Sequence, residues 1–400
     1  MIRPRSAVVA VVALVVSFSV LAACSSSDEG SGSTTSTKVT TTTSAAQEAE
    51  PAYADLGPDE VGSRTVALDD GRRVVVWYPA AASAADAPTE TFDIASLLSP
   101  ELQAQVEPEL RPQYEINAHI GADPATEGPY PVVLFSHGFA GFPEQSADLV
   151  THLASWGFVV IAPDHVERSL SGLLGTAAQG VEPREDSEVL SASLDAAVAD
   201  ASDESSPLNG LLDLDKVAVA GHSAGASAAY VTAAADDRMK AFIAYSVGTG
   251  RPDDDGNAVE REIPTVPAMV MLGEADGIIP AEASVEVYDE MVAPKYLVEV
   301  AEAGHLVFSD ICLIGRDQGG LVQLTKDAGL DLGDELLGLA SDGCEPERLD
   351  PLRAFPAIDH FSVAFLRLAL GIDAAPVGLD QATASSFSTA DITFTSDPGD

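Results

Sequence analysis

The stretch Val219-Ala220-Gly221-His222-Ser223-Ala224-Gly225 determines the fold expected of this chain. Its pattern Gly-x-Ser-x-Gly lies between an apolar run that predicts a strand and a run of small residues that predicts a helix. Glycine at both ends permits a tight turn that Cβ atoms would block. Such a turn would place the hydroxyl of Ser223 at a helix N-terminus, whose dipole favours developing negative charge. We therefore predict that Ser223 is a nucleophile on a strand–turn–helix elbow.

Strands and helices alternate along the chain on both sides of this turn. Apolar runs predict strands at 73–79, 131–136, 158–162, 217–220, 241–247, 267–272 and 296–300. The spacing of apolar residues predicts helices at 143–156, 186–201, 224–235, 281–291 and 360–370. Continuous apolar strands are typical of a parallel sheet that is buried on both faces. We expect an α/β fold in which a mostly parallel central sheet carries helices on both faces.

A loop that contains His137-Gly138-Phe139 directly follows the predicted strand at 131–136. An oxyanion hole needs two backbone N–H donors, one after the nucleophile and one from a loop behind another strand. The sequence predicts that Ala224 and Phe139 are these donors. We interpret His137 as a buried residue that orients the loop and not as a group that transfers protons.

Two later loops carry an acid and a base. Asp276 follows the strand at 267–272, where a carboxylate can fix the tautomer of a histidine. Glu274, two residues earlier, is the alternative acid. His305 follows the strand at 296–300 and is predicted to be the general base and acid. The order Ser, Asp, His is the one expected of a hydrolase built on a nucleophile elbow.

Other side chains are expected at the rim of a cleft, because ligands collect at the carboxyl ends of the strands in such sheets. Phe142, together with Phe139, is predicted to form an apolar wall for an acyl chain. Asp164, His165 and Arg168 follow the strand at 158–162 and are predicted to line the cleft rim.

The N-terminus has the pattern of an export signal, with a positively charged start followed by an apolar run. A permanent membrane span is the alternative interpretation. The run ends in Leu21-Ala22-Ala23-Cys24, which resembles the lipobox of bacterial lipoproteins. This resemblance implies that residues 1–23 are a signal peptide and that Cys24 carries a lipid.

The rest of the chain is expected to have three parts. Residues 24–51, rich in Ser, Thr and Ala, predict a flexible tether behind the lipid. Residues 52–373 are the predicted catalytic domain, and 374–400 are predicted to be a loose tail because they lack periodicity. The lipid would hold the domain outside the cytoplasm, at the membrane or the cell surface.

Composition and short motifs narrow the function. The chain has 63 acidic and 20 basic residues, and the net charge of −43 disfavours a nucleic-acid partner. The sequence contains no CxxC, HExxH or glycine-rich phosphate loop, so it predicts no metal and no cofactor. Cys312 and Cys344 are expected to form a disulfide in an oxidising location. We hypothesise that this disulfide fixes the position of the loop that contains His305. The alternative is that it only cross-links a surface segment.

Taken together, these motifs resemble the α/β-hydrolase superfamily over roughly residues 60–372. Within it the chain is similar to the dienelactone-hydrolase-like and platelet-activating-factor-acetylhydrolase-like esterases, and to the polyester hydrolases and cutinases of actinobacteria. The matching segments are RVVVWYP (73–79), PVVLFSHGF (131–139), LASWGFVVIAPDHVERS (153–169), GHSAG (221–225) and GHLVFSD (304–310). Two departures are that dienelactone hydrolases proper use a cysteine nucleophile, and that 311–355 is longer than the bare fold needs.

The resemblance implies a carboxylic-ester hydrolase that works through an acyl-enzyme. Its substrates would be neutral or amphiphilic esters: a lipid, a short acyl ester or a polyester. Two other classes of function stay open. A peptidase or amidase would use the same triad, and a non-catalytic lipid-binding surface protein would need a broken site.

Overall fold

The computed structural model describes residues 51–248, 250 and 261–399. The predicted signal peptide, Cys24 and all of the predicted tether except its last residue lie outside the described residues. Within the described ranges, none of the helices has the length and apolar character that crossing a membrane requires.

Twelve strands and ten α-helices are defined in the described part of the chain. The strands are β1 (Glu60–Ala67), β2 (Arg73–Ala80), β3 (Glu90–Asp93), β4 (Gln113–Ile116), β5 (His119–Ile120), β6 (Tyr130–Ser136), β7 (Val159–Pro163), β8 (Leu212–His222), β9 (Met239–Tyr245), β10 (Ala268–Gly273), β11 (Lys295–Val300) and β12 (Ile392–Asp397). The helices are α1 (Pro100–Gln103), α2 (Ala147–Ser155), α3 (Leu170–Leu173), α4 (Asp186–Ala201), α5 (Ala224–Ala235), α6 (Ala281–Glu290), α7 (Gly320–Asp327), α8 (Gly333–Leu339), α9 (Pro351–Ala369) and α10 (Gln381–Ala384).

Ten of these strands form one sheet, in the order β12-β11-β10-β9-β8-β6-β7-β2-β1-β5, while β3 and β4 pair with each other. The six strands from β11 to β7 in this order are parallel. β2 and β12 join the two edges of this parallel block in antiparallel pairing. The expected mostly parallel sheet is confirmed.

Two apolar cores lie on opposite faces of the sheet. Alternate side chains of β6 serve different cores: Val132 and Leu134 belong to one, Val133 and Phe135 to the other. Helices α4, α5 and α6 cover the first core, and α2 and α9 cover the second. Because both faces are buried, the strands are continuously apolar, which is the pattern that predicted them.

The predicted loose tail at 374–400 is wrong for the residues that the structure describes. β12 pairs with β11 along its whole length and closes that edge of the sheet. Ile392 and Phe394 are buried, and the ring of Phe394 stacks on Phe361 with centroids 5.2 Å apart. Only two buried side chains alternate along this strand, so its local pattern is weak. It forms because the edge of β11 offers backbone partners.

Candidate active site

Ser223 lies between β8 and α5, where the chain turns sharply. Its backbone has φ 58° and ψ −120°, a strained conformation for a residue with a Cβ atom. A Cβ atom on Gly221 would lie 2.2 Å from the carbonyl oxygen of Gly225, and one on Gly225 would lie 1.9 Å from that of Ser136. Glycine is therefore required at both positions for β8, the turn and α5 to pack this closely.

His305 and Asp276 form a buried, hydrogen-bonded pair, with 2.8 Å between Nδ1 of the histidine and Oδ2 of the aspartate. Burial by itself would raise the pKa of Asp276. The hydrogen bonds from His305 and from the N–H groups of Ile278 and Ile279 outweigh burial and hold that pKa below its usual value. Glu274, the alternative acid, is exposed, so the structure brings Asp276 to His305. Nε2 of His305 is left for another partner.

Asp342 connects the loops of the acid and the base. Its Oδ1 accepts hydrogen bonds from the N–H of His305 at 2.7 Å and from the N–H of Gly277 at 3.2 Å. Its main-chain oxygen accepts from the N–H of Leu306 at 3.0 Å. One residue thus fixes the backbone on both sides of the Asp276–His305 pair. Sequence reasoning missed it, because one Asp among 63 acidic residues carries no local signal.

The two predicted oxyanion donors belong to segments that lie side by side. Ala224 is the first residue of α5, so its N–H has no acceptor within the helix. Among the described residues, no group accepts the N–H of Phe139. The neighbouring N–H of Gly138 donates to Oε1 of Gln145 at 3.0 Å. A Cβ atom on Gly138 would lie 3.5 Å from Cβ of Ser223, so this loop passes directly beside the elbow.

Gln145 and His222 join three loops of the site. Nε2 of Gln145 lies 2.8 Å from Nδ1 of His222, and Nε2 of His222 lies 3.0 Å from the carbonyl oxygen of His305. Burial, with a smaller effect from His305, lowers the pKa of His222 to about 3, so this histidine is neutral. Neutral His222 accepts from the amide of Gln145 and donates to the carbonyl of His305. No local pattern in the sequence indicates this role of His222.

His165 does not line the cleft, contrary to the prediction. Its side chain is fully buried, with Nε2 2.9 Å from Oγ of Ser136 and Nδ1 2.9 Å from Oδ1 of Asp186. Asp164 and Arg168, which were also predicted at the rim, are buried as well. Arg168 donates to the loop after β6 and to Asp186, while Oδ2 of Asp164 accepts from the hydroxyl of Ser171. Such partners make the burial of polar groups tolerable.

Ser223 and His305 line one large cavity, whose volume including the open mouth is about 1150 Å³. Phe139 and Phe142 both contribute to its wall; Phe142 is buried, and Phe139 is 45% exposed. Most of the other lining side chains are apolar and come from two segments outside the central sheet, 94–112 and 321–340. These apolar side chains are Ile94, Ala95, Leu98, Val106, Leu110, Pro112, Leu321, Val322, Leu324, Ala328, Leu330, Leu332, Leu336, Leu337, Leu339 and Ala340.

The predicted disulfide between Cys312 and Cys344 is confirmed, with Cα atoms 5.1 Å apart. Cys344 lies two residues after Asp342, whose carboxylate holds the backbone of His305. The bridge therefore closes a segment that contains both α7 and α8 and that ends beside the loop of His305. This arrangement favours the hypothesis that the bridge pins that loop.

Comparisons with known proteins agree with this architecture. Residues 100–266 match the family model described as Chlorophyllase. Among solved structures, a ferulic acid esterase from Streptomyces cinnamoneus superposes with a TM-score of 0.51 at 20% sequence identity, over 84% of this chain and 96% of that one. No curated protein matches the chain significantly. The resemblance to dienelactone-hydrolase-like and acetylhydrolase-like esterases stays a prediction at this finer level.

The parallel sheet, the elbow at Ser223 and the match to a solved esterase structure agree on one fold. The chain is an α/β-hydrolase by fold, and its residues 100–266 are similar to the chlorophyllase family.

Proposed function

We propose that the protein is a serine carboxylic-ester hydrolase with Ser223, His305 and Asp276 as its catalytic triad. The observation that carries the proposal is the buried Asp276–His305 pair, whose histidine lines the same cavity as the strained elbow residue Ser223. The family match and the fold of a solved ferulic acid esterase support an esterase over the other classes.

The proposed reaction follows from the positions of these groups. Oγ of Ser223 attacks the ester carbonyl, and Nε2 of His305 takes the hydroxyl proton and then passes it to the leaving alcohol. Asp276 keeps the proton on Nδ1 and stabilises the imidazolium. The N–H groups of Phe139 and Ala224 donate to the oxyanion. Water, deprotonated by His305, then attacks the acyl-enzyme and releases the acid together with free Ser223.

The cavity indicates a substrate with a large apolar group on its acyl or alcohol side. Its lining is mostly aliphatic, and burying such a group contributes about 0.8 kcal/mol per methylene. The net charge of −43 disfavours polyanionic substrates. We therefore propose neutral or amphiphilic esters, with lipid esters favoured over very short acyl esters.

The decisive measurement uses the purified full chain, a fluorophosphonate probe and p-nitrophenyl esters of increasing acyl length. We expect labelling and turnover in the native protein and neither in Ser223→Ala. Ser227→Ala is the matched control, because Ser227 is half-buried one helical turn away on α5 and should keep both activities. Labelling that persists in Ser223→Ala would refute the nucleophile.

The same panel separates the proposed activity from its competitors. Methyl ferulate and chlorophyll belong in it because the names of the two matches point to them. Peptide anilides test the amidase alternative, and faster turnover of anilides than of esters would replace the proposal. Binding of a lipid ester without turnover of any substrate would favour a non-catalytic lipid-binding protein.

We also propose that the chain is exported and anchored by a lipid on Cys24. The support is the sequence pattern that resembles a lipobox, together with a disulfide, which is typical of oxidising compartments. Cys24→Ser should move the protein from the membrane fraction to the soluble extracytoplasmic fraction. Retention of Cys24→Ser in the membrane fraction would contradict the anchor.

A further inference from the structure

Arg168 is a buried arginine whose guanidinium contacts the loop after β6. This loop, residues 137–140, contains the proposed oxyanion donor Phe139 and is called the oxyanion loop below. Nη1 donates to the carbonyl oxygen of Gly138 at 2.8 Å and also to that of His137, and Nη2 donates to Oγ of Ser136 at 2.9 Å. Nε donates to Oδ2 of Asp186 at 2.8 Å, so the charge is paired. The side chain is 9% exposed and does not line the cavity.

The contact with Gly138 matters because of what lies on the other side of the same peptide bond. The carbonyl of Gly138 and the N–H of Phe139 belong to one planar amide group and point in opposite directions. A cation that donates to the carbonyl oxygen draws electron density away from the nitrogen. The N–H of Phe139 then becomes a stronger donor, because hydrogen bonds in a chain polarise one another.

His137 acts on the same oxygen. Its Nδ1 lies 2.8 Å from the carbonyl oxygen of Gly138, while its Nε2 accepts from the N–H of His165 at 3.1 Å. Burial, together with the positive charge of Arg168, lowers the pKa of His137 well below its usual value. His137 is therefore neutral, with its proton on Nδ1. The N–H of Gly141 also donates to this oxygen, at 3.1 Å, so three donors converge on the Gly138 carbonyl.

The main chain of Arg168 fixes the far end of the loop. Its carbonyl oxygen accepts from the N–H of Ala140 at 2.7 Å, and Ala140 has a positive φ of 55°. The side chain therefore holds the residues before Phe139, and the main chain holds the residue after it. A strained loop persists only where its surroundings fix it from several sides.

We propose that Arg168 is a positioning residue of the oxyanion hole: it orients and polarises the Gly138–Phe139 peptide, so that the N–H of Phe139 binds the oxyanion of the tetrahedral intermediate. The proposal rests on the proposed ester hydrolysis and deepens it. If Arg168 only stabilised the fold, its replacement would not weaken the binding of tetrahedral adducts more than that of other ligands. A positioning role and a purely structural role can therefore be separated.

The test compares Arg168→Gln and Arg168→Lys with the native full chain. Removing a whole oxyanion donor costs about 10²–10³ in kcat, and Arg168 acts through such a donor, so we expect kcat of Arg168→Gln to fall by about 10–100-fold. Arg168→Lys keeps the positive charge but loses the forked geometry of the guanidinium. Its kcat should therefore lie between those of the native chain and Arg168→Gln. KM should change little, because the ground-state carbonyl uses the oxyanion hole less than the intermediate does.

A pair of inhibitors gives a readout that a structural role would not move. A trifluoromethyl ketone forms a tetrahedral oxyanion on the serine, whereas an amide with the same alkyl chain only occupies the cavity. We expect Ki of the ketone to rise in parallel with the loss in kcat/KM, and Ki of the amide to stay constant. Unchanged ketone affinity, or equal weakening of both inhibitors, would overturn the proposal.

Two further variants keep the outcome decisive. Arg367→Gln is the control for loss of an ion-paired arginine, because Arg367 donates two N–H groups to Asp373 and has no contact with the loop; its kcat should be native. If Arg168→Gln does not fold, Asp186→Asn, at a partly exposed position that holds Nε, should show a smaller shift in the same direction. No shift in ketone affinity in a folded Asp186→Asn would count against the proposal.

Failure of the proposed function would look different. If the native chain hydrolyses no ester and Ser223 is not labelled, the esterase proposal fails. If the native chain is active and labelled at Ser223 but the Arg168 variants keep their ketone affinity, only the role of Arg168 fails.

Discussion

At the scale of single residues, two acids lie two positions apart behind β10, and the tertiary structure separates their roles. The side chain of Asp276 is 1% exposed and contacts His305, whereas Glu274 is exposed to solvent. Both residue types could serve a histidine, so local chemistry leaves the choice open. The direction of the loop between β10 and α6 settles which carboxylate reaches the imidazole.

Asp276→Asn should lower kcat by about 10³–10⁴, because an amide in place of the carboxylate favours the wrong tautomer of His305. Glu274→Gln is the matched control and should stay within about twofold of native, as expected of an exposed side chain away from the chemistry. The measurement is kcat on a p-nitrophenyl ester, with thermal unfolding to confirm that both variants fold. Equal losses in the two variants would contradict the assignment.

Asp342 gives a second prediction at this scale. Asp342→Ala removes the acceptor for the exposed N–H of Gly277 and for the N–H of the buried residue His305. A buried donor left unsatisfied, as at His305, costs about 1–3 kcal/mol. We expect a fall in kcat of about tenfold or more, whereas Asp342→Asn keeps an acceptor oxygen and should retain most of the activity. Rates of fluorophosphonate labelling measure the effect directly. Equal rates in the Ala and Asn variants would rule out this positioning role.

At the scale of elements, strained backbone conformations follow the carboxyl ends of the parallel strands. Residues with Cβ atoms hold positive φ shortly after four of these strands: Ala140 after β6, Ser223 after β8, Ser246 after β9 and Glu302 after β11. Such conformations cost free energy and concentrate at functional sites. Two of these four residues, Ala140 and Ser223, line the cavity.

The edge strand β12 supports this sheet and can be tested with a pair of neighbours. Phe394 is buried against Phe361, whereas Thr393 points to solvent. Phe394→Ala should lower the free energy of unfolding by about 3 kcal/mol or more, since large-to-small changes in a core leave a cavity. Thr393→Ala should change it by less than about 0.5 kcal/mol. Urea denaturation of the two variants measures these changes. A near-zero effect for Phe394→Ala would favour the earlier prediction of a loose C-terminal tail.

At the scale of the whole molecule, three aspartates, two of them buried and one half-buried, join distant parts of the chain. Asp148 on α2, Asp310 after the loop of His305 and Asp359 on α9 lie close together, and Tyr114 on β4 donates to Asp310. Burial, then mutual repulsion, raises the pKa of Asp310 to about 7 and that of Asp359 well above its usual value. Burial raises the pKa of Asp148 to about 6.

These shifts predict how stability depends on pH. A carboxyl group whose pKa is raised in the folded state contributes fully to the free energy of unfolding below its unfolded pKa of about 3.8. That contribution is lost as the pH rises through the folded pKa. His152, which faces Asp359, has the opposite sign: burial lowers its pKa to about 4, so its effect is confined to pH below about 6.5. We therefore expect the melting temperature to fall between pH 6.5 and 8.5.

Asp359→Asn should flatten this decline, because the amide cannot ionise. Asp334→Asn, on an exposed surface of α8, is the matched control and should leave the decline as it is in the native chain. Melting temperatures at constant ionic strength across this pH range provide the comparison. A native chain whose melting temperature is constant or rises from pH 6.5 to 8.5 would contradict the role of the cluster.

Most of the central sheet and the elbow were predictable because their signals are local. The helix predicted at 186–201 has those bounds in α4, and the apolar runs mark the parallel strands. The site was only partly predictable. His165 follows the carboxyl end of its strand, where cleft residues are expected, but its side chain is buried in the interior. Whether a polar side chain faces the cavity or the core depends on partners such as Asp186, which lie in other segments.

The sequence by itself determined the α/β architecture and the elbow at Ser223, because glycine placement and runs of apolar side chains act on their own neighbours. Only the tertiary structure decided that Asp276 and not Glu274 meets His305, that Arg168 holds the loop after β6, and that β12 completes the sheet. These outcomes depend on hydrogen bonds between residues far apart in the chain, such as the buried one between Gln145 and His222, which are separated by 77 positions. Burial makes such distant partners necessary, because polar groups removed from water must be paired.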